Sequence, residues 1–328
     1  MTRRRIRRLE FYLRRTGLRE ISKPGEPLRV RELKPLAGQG LSGLTFLLTL
    51  VEPQARLILK VHGNGDKALK EVRLLDFLKR EGVPAPRVYG FDLKGDVLGR
   101  PFLIMQEIRS KEEVEPKLVT EELAATLYLL HSLDPDAVSG MKLDGKSLQD
   151  ELKEIKLLSF ALLILSFPPP IPMIRRVLGR VRELEGVSRD NGVRSLLHGD
   201  CGLDNTLYSQ GRVYLIDLEG AFVGNPAYDV GYAYHSLCLS NRFGLELADH
   251  FVSAYEDLSG RLKDLSLYKR IVALKMILLL RLLGNPGLPV GLLLGGEKVK
   301  MILRGRRFLR QAEEYYRSFV EASPISLD

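Results

Sequence analysis

Apolar positions along the chain fall into two broad regimes. From residue 28 to residue 108 short β-type runs alternate with Gly- and Pro-containing breaks, and beyond residue 110 the apolar residues recur at helical spacing. Runs at 28–36, 44–51, 56–62, 87–92 and 100–108 predict five strands, with one helix over 67–81 ended by Gly82-Val83-Pro84-Ala85-Pro86. Ahead of them, residues 3–15 set Ile6, Leu9 and Leu13 at helical spacing. Past them, 121–131 carries Leu123, Leu127 and Leu130 on one face, and 173–185 reads as a basic helix. The run 271–283 reads as a buried helix despite Lys275 and Arg281. Residues 193–197 and 212–216 read as two short strands of a hairpin around a tight loop.

This division implies an α+β chain of two lobes, a β-rich lobe over residues 1–108 with one main helix and a mostly helical lobe over 109–328. A length of 328 residues and 37.0 kDa exceeds what one compact core usually holds, which agrees. Hydrophobic content of 45% with 28% charged residues is ordinary globular composition. The apolar run 157–167 is too short to span a bilayer and ends in Pro168-Pro169-Pro170. No secretory signal is visible, and Cys201 and Cys238 form neither a C-x-x-C pair nor a zinc pattern, so a cytoplasmic protein is expected. Residues 134–190 are the least readable stretch: a helical part of the core, or a lid or acceptor-binding insertion.

Candidate chemistry concentrates in residues 195–229. His198, Asp200 and Asn205 stand in the order His-x-Asp-x4-Asn, followed by an apolar run ending in Asp217. Singly these are ordinary loop residues. Together they supply what phosphoryl transfer from ATP to a hydroxyl needs: a carboxylate beside the acceptor proton (Asp200), and an amide oxygen and a second carboxylate for Mg²⁺ (Asn205 and Asp217). The β-rich half adds two features. Gly38, Gly40 and Gly43 form a G-x-G-x-x-G turn containing Ser42, and since a β-type run and no helix follows, the turn suits a glycine-rich loop over nucleotide phosphates better than a dinucleotide fingerprint. Lys60 interrupts an apolar strand, and Glu71 lies on the same helix face as Ala68, Leu75 and Leu78. Burying either alone is costly, and a Lys60–Glu71 pair that positions the lysine on ATP phosphates explains both. Where strand 100–108 leaves its apolar part, backbone groups of Gln106 and Ile108 are candidates to pair with adenine.

Taken together, the turn Gly40-Leu41-Ser42-Gly43-Leu44-Thr45-Phe46, Lys60, Glu71, His198-Gly199-Asp200 with Asn205, Ile216-Asp217, and Gly224-Asn225-Pro226 with Asp229 resemble the aminoglycoside phosphotransferase and choline kinase-like family of small-molecule kinases. The resemblance covers most of the chain and implies a two-lobe protein kinase-like fold with an ATP cleft between the lobes. It implies Asp200 as catalytic base, Asn205 and Asp217 on Mg²⁺, Lys60 on the α/β-phosphates, and Asp229 as a brace for the catalytic loop through His198. Relatives often carry His-Gly-Asp-Leu-His-x-x-Asn, whereas here the loop continues Cys201-Gly202-Leu203-Asp204, so the acceptor side differs. Glu219 after the metal Asp is similar to the small-molecule branch and would join the metal shell or face solvent.

Charge narrows the acceptor. The chain carries 50 Lys plus Arg against 41 Asp plus Glu, a net +9. Residues 241–328 hold 14 basic against 10 acidic residues, a difference of +4. A polycationic acceptor is therefore disfavoured, and a neutral or anionic small molecule with a hydroxyl is expected. Arg3, Arg4, Arg5, Arg7, Arg8, Arg14 and Arg15 against the single acid Glu10 would suit contact with nucleic acid or an anionic membrane, but a terminal helix that packs its apolar stripe and solvates its charges is preferred. An atypical protein kinase would need a phosphorylatable activation segment, for which residues 219–229 are too short. A nucleotide-binding module without turnover would have lost a catalytic residue, and none is missing.

Overall fold

The computed structural model describes residues 3–36, 44–110, 113–141, 143–166, 168–187, 192–283 and 306–321. The chain divides into two compact units, one of Met1–Glu113, Val138–Lys142 and Asp204–Gly220, the other of Val114–Ala137, Leu143–Leu203 and Ala221–Asp328.

In the first unit, α1 (Arg3–Thr16) precedes a five-stranded antiparallel sheet of β1 (Arg29–Pro35), β2 (Leu44–Glu52), β3 (Ala55–Val61), β4 (Val88–Asp92) and β5 (Phe102–Gln106), ordered β1-β2-β3-β5-β4. The five strands and the intervening helix α2 (Gly65–Arg80) fall where the hydrophobic pattern puts them. Leu9 and Leu13 of α1 pack with Leu48, Leu50, Leu59, Phe102 and Ile104 of the sheet, so the N-terminal helix spends its apolar stripe on the core. Its polar side is tied down as well: Tyr12 Oη donates to the Phe91 carbonyl at 2.7 Å, and Val30 N–H donates to Glu10 Oε2 at 3.0 Å. Helix α2 starts at Asn64, whose side-chain oxygen accepts from Lys67 N–H at 2.9 Å.

Two short strands of the same unit, β7 (Thr206–Ser209) and β8 (Arg212–Leu215), form their own ladder, and in the second unit β6 (Ser195–Leu197) pairs with β9 (Phe222–Gly224). The hairpin expected between 193–197 and 212–216 is therefore not formed. Gln210 and Gly211 take φ of 52° and 80°, the two positive values a two-residue hairpin turn needs, so Arg212–Leu215 closes on the segment just before it. Ser195–Leu197 then pairs with the next strand onward.

The second unit is otherwise helical: α3 (Pro116–His131), α4 (Leu148–Leu165), α5 (Ile171–Val187), α6 (Ala227–Leu239), α7 (Gly244–Ser259), α8 (Leu265–Leu283) and α9 (Arg306–Glu321). The described residues of 134–190 form a 3-10 turn and helices α4 and α5, whose Leu152, Ile155, Leu162, Val177, Val181 and Leu184 join Ile271, Leu274 and Ile277 of α8 in one core. Lys275 is buried there, and its ammonium is met by Glu151 at 2.7 Å, Glu154 at 3.1 Å and Tyr228 Oη at 3.1 Å, as a buried ammonium requires. No helix among the described residues is long and apolar enough to cross a membrane.

Candidate active site

In the first unit the site is built around Lys60. Its strand is central, with Lys60 opposite Thr45 on β2 and Leu103 on β5, so the lysine cannot turn its ammonium to solvent along a sheet edge. Lys60 is 4% and Glu71 1% exposed, and Nζ donates to both Glu71 oxygens at 2.9 and 2.8 Å. The same ammonium donates to Asp217 Oδ1 at 2.9 Å and lies 3.6 Å from Glu219. Burial alone would favour the neutral amine; the carboxylates of Glu71, Asp217 and Glu219 outweigh it and hold the ammonium charged, well above the ordinary lysine range. Glu71 is held below the usual carboxylate range, because Lys60 and His62 offset the penalty of its complete burial.

His62, the residue just past the end of β3, was missed by sequence reasoning. Its Nε2 lies 3.1 Å from Glu71 and its Nδ1 2.9 Å from Glu219. Both approaches are off the line of a well-directed hydrogen bond, so they count as ion-pair contacts. Burial pushes this imidazole down, and the Glu219 and Glu71 carboxylates more than restore it, leaving it above its ordinary value. Glu219 therefore turns toward His62 and Lys60 and not toward solvent. The only available signal was the alternation of β3, which puts Lys60 and His62 on one face of the strand.

Asn205 and Asp217 close the β7–β8 hairpin from its two outer ends. Ile216 N–H donates to the Asn205 carbonyl at 3.0 Å, and Leu215 N–H to the Pro84 carbonyl at 3.0 Å. Asp217 has φ of 61°, a left-handed conformation that a non-glycine residue holds at a cost, and such outliers gather where a side chain must be aimed. Gln106 and Ile108 separate in role: the Gln106 N–H already donates to the Arg87 carbonyl at 2.8 Å, contrary to the expectation of an open amide, whereas Ile108 lies beyond the last paired residue of β5. Gly38, Gly40, Ser42 and Gly43 lie outside the described residues.

In the second unit the loop after β6 carries His198, Gly199 and Asp200. Asp229, fully buried in the first turn of α6, accepts from the backbone N–H of His198 at 2.7 Å and of Gly199 at 2.9 Å, and His131 Nε2 lies 3.2 Å away. The link to the loop thus runs through the His198 backbone, while the imidazole of His198 accepts from Asp200 N–H at 3.2 Å through Nδ1. Gly199 has φ of 80°, so the turn that delivers Asp200 favours glycine there. Burial would raise the Asp229 carboxyl, but the His131 and His198 contacts bring it below the usual range. Cys201 donates to the Asp229 carbonyl, and burial beside Asp229 and Asp200 pushes its thiol well up, which suits a small core filler and not a nucleophile. Leu203 N–H donates to Ser236 Oγ at 2.9 Å, a second tie from loop to α6. Neither His131 nor Ser236 could be assigned from sequence, because 98 and 33 residues separate them from their partners.

A search of curated proteins by sequence gives no match. Among solved structures, the chain is similar to a mutant aminoglycoside 2′-phosphotransferase IIIa in complex with GDP, at 17% identity over 96% of this chain and 100% of that one with a TM-score of 0.63. It is similar to the macrolide 2′-phosphotransferase MphH of Brachybacterium faecium, at 17% identity over 96% and 98% with a TM-score of 0.60. Choline kinase LicA of Streptococcus pneumoniae is similar too, at 21% identity over 86% and 94% with a TM-score of 0.55. These likenesses establish a kinase-like α+β fold. A family model described as "Phosphotransferase enzyme family" (APH) matches residues 32–265, and with most of the chain so matched, this protein belongs to the phosphotransferase enzyme family.

Proposed function

We propose that the protein transfers the γ-phosphoryl group of ATP, with Mg²⁺, to a hydroxyl of a small neutral or anionic molecule. The observation that carries this reading is the Lys60 ammonium shared between Glu71 and Asp217, a cation held at one fixed point beside the best candidate metal ligand. Phosphoryl transfer asks the protein mainly for positioning and for compensation of charge, and a lysine kept ionised by three carboxylates supplies both. Glu71 fixes Lys60 so that its charge faces the α/β-phosphates.

Asn205 and Asp217 fit Mg²⁺ by donor type, a neutral amide oxygen and a carboxylate, both hard oxygen ligands suited to an ion that binds few protein groups. When bound, Mg²⁺ supplies positive charge to the phosphate oxygens. Asp200 orients the acceptor hydroxyl and takes its proton as the new O–P bond forms and the bond from the γ-phosphorus to the bridging oxygen breaks to release ADP, with Asp229 fixing the backbone that presents it. The glycines at 38, 40 and 43, with Ser42, offer backbone N–H groups to phosphate oxygens, and Ile108 together with the carbonyl side of Gln106 serves the base. The net charge of +9 supports an acceptor that is not polycationic.

The test is nucleotide consumption with Mg²⁺, by the wild type and Asp200→Ala, over sugars, amino alcohols, nucleosides, carboxylated polyols and aminoglycosides. ATP and GTP are both supplied, since one similar structure is a GDP complex. Acceptor-stimulated turnover that falls by about 10²-fold or more in Asp200→Ala is expected. Equal turnover in the two proteins would remove Asp200 from the reaction, and stimulation by aminoglycosides alone would overturn the acceptor class.

A further inference from the structure

Helices α4 and α5 form a hairpin whose outer face changes polarity along its axis. The outer face of α4 is polar at first, with Gln149, Lys153 and Lys156 exposed. From Leu157 onward it turns apolar without becoming buried: Leu157 is 68%, Phe160 61% and Ile164 64% exposed. With Leu163 and Leu165 these side chains spread over about 200° of the helix circumference at the usual 100° per residue. Helix α5 mirrors the change, opening with exposed Ile171 and Pro172 and turning basic at Arg175 and Arg176. No charged residue occurs between Lys156 and Arg175, and the nearest charge on either side is basic.

A surface helix of a water-soluble domain keeps a polar outer face, and an exposed apolar area this continuous marks an interaction site. A protein groove reads a helix by a stripe parallel to its axis. Here the boundary between wet and apolar surface cuts across both helices at their common end, the arrangement that a planar water–hydrocarbon interface selects. Basic residues at that boundary match anionic headgroups, with their aliphatic stems along the apolar surface. The ion pairs Lys156–Glu185 and Arg176–Glu321 are exposed and hold these side chains only weakly. Since no described helix can cross a membrane, the contact would be peripheral.

We infer that the shared end of α4 and α5, with Leu157, Phe160, Ile164 and Ile171 inserted and Lys153, Lys156, Arg175 and Arg176 at the headgroups, docks the protein on the surface of an anionic lipid bilayer. This inference is independent of phosphoryl transfer, because none of these residues belongs to the candidate active site.

The experiment is flotation of the full-length protein with vesicles of phosphatidylcholine alone or mixed equally with phosphatidylglycerol. The chain has no tryptophan, so Phe160→Trp makes a single fluorescent reporter at the apolar end. Binding to the anionic vesicles with a blue shift of the reporter is expected, as is a loss of partitioning of at least about tenfold in Phe160→Asp/Ile164→Asp. Lys156→Glu/Arg175→Glu should abolish the preference for phosphatidylglycerol. Matched thermal unfolding and far-ultraviolet circular dichroism establish that the variants fold. Three results overturn the inference: no vesicle binding by the wild type, equal binding by the double Asp variant (which would move the contact elsewhere, for instance to the Arg-rich helix α1), or a dimer in light scattering that the double Asp variant dissolves.

Discussion

The Lys60 ammonium meets Asp217 at 2.9 Å although 157 residues separate them in the chain. The lysine proposed to face the phosphates and the candidate metal carboxylate thus belong to one ion cluster, completed by Glu71, Glu219 and His62. The ligand atoms of His62, Glu71 and Glu219 lie within 4.8 Å of one another, and Lys60 supplies the cation that such a concentration of carboxylates requires.

Removing that cation should therefore cost stability and activity separately. Lys60→Met leaves Glu71 buried without its ammonium and should destabilise the protein by about 3 kcal/mol, because an uncompensated buried charge is the expensive half of a broken pair. Phosphotransfer should fall by at least about 10²-fold. The double variant Lys60→Met/Glu71→Leu should regain most of the stability and none of the activity. Urea unfolding and ATP turnover on the three proteins test this, and turnover of Lys60→Met within about threefold of wild type would exclude Lys60 from the reaction.

Asp229 is the second point where structure and chemistry coincide. Its two oxygens accept from the amides of His198 and Gly199, so Asp229→Asn sets an NH₂ group against a backbone donor inside a dry pocket. A loss of about 2–4 kcal/mol is expected. The folded-state carboxyl is depressed, so its contribution is present above the ordinary carboxylate range and is lost as pH falls through the folded value. Asp200 loses its fixed backbone, so kcat should drop sharply, whereas the KM for ATP should stay near wild type because the proposed phosphate contacts lie on the other unit. An equal rise in KM for ATP would argue against a role confined to the catalytic loop.

The readability of these features differed for physical reasons. Strands β2, β3 and β5 were visible as compact apolar runs and β1 and β4 as mixed runs set off by prolines, and the Lys60–Glu71 pair because two charges on apolar faces demand one another. The order His198, Asp200, Asn205, Asp217 was visible as spacing alone. Pairing was not: β6 has three residues and β8 four, too short to carry a register, and the partner of β8 was decided by backbone signs at Gln210 and Gly211. The contacts of His62 with Glu219 and of His131 with Asp229 depend on segments far apart in the chain, which local periodicity does not encode. Residues 134–190 were ambiguous because the end of α4 is apolar on its exposed side, which removes the periodic contrast that identifies a helix.

The metal proposal is tested most directly at Asp217. Its φ of 61° is one that asparagine also tolerates, so Asp217→Asn should keep the backbone and remove only the charge. Lys60 retains both bonds to Glu71, and stability should change little. The Mg²⁺ concentration giving half-maximal turnover should rise by at least about tenfold. An unchanged Mg²⁺ dependence with normal turnover would remove Asp217 from the metal.

His235 gives the helical unit its own pH dependence. It lies buried on α6, with Nε2 at 2.7 Å from the Lys269 carbonyl and Nδ1 at 2.9 Å from Tyr315 Oη. A carbonyl only accepts, so the hydrogen is on Nε2, and Nδ1 accepts from the tyrosine; the neutral ring has both its bonds. Burial, assisted by the nearby Lys269 charge, outweighs the carbonyl bond and pushes this imidazole down to about 4. An unfolded histidine titrates near about 6.5, so between those values the unfolded chain binds the extra proton and stability must rise with pH. Going from pH 7 to pH 5 should therefore remove about 2 kcal/mol through this residue alone. His62 acts oppositely, since its folded value is raised and its contribution is lost as pH rises, so the comparison must be made against a variant. His235→Gln keeps a donor and an acceptor without titrating. Urea unfolding at pH 7 and pH 5 should show a smaller loss in His235→Gln than in the wild type by that amount, and equal losses would mean that α6 admits the charged ring.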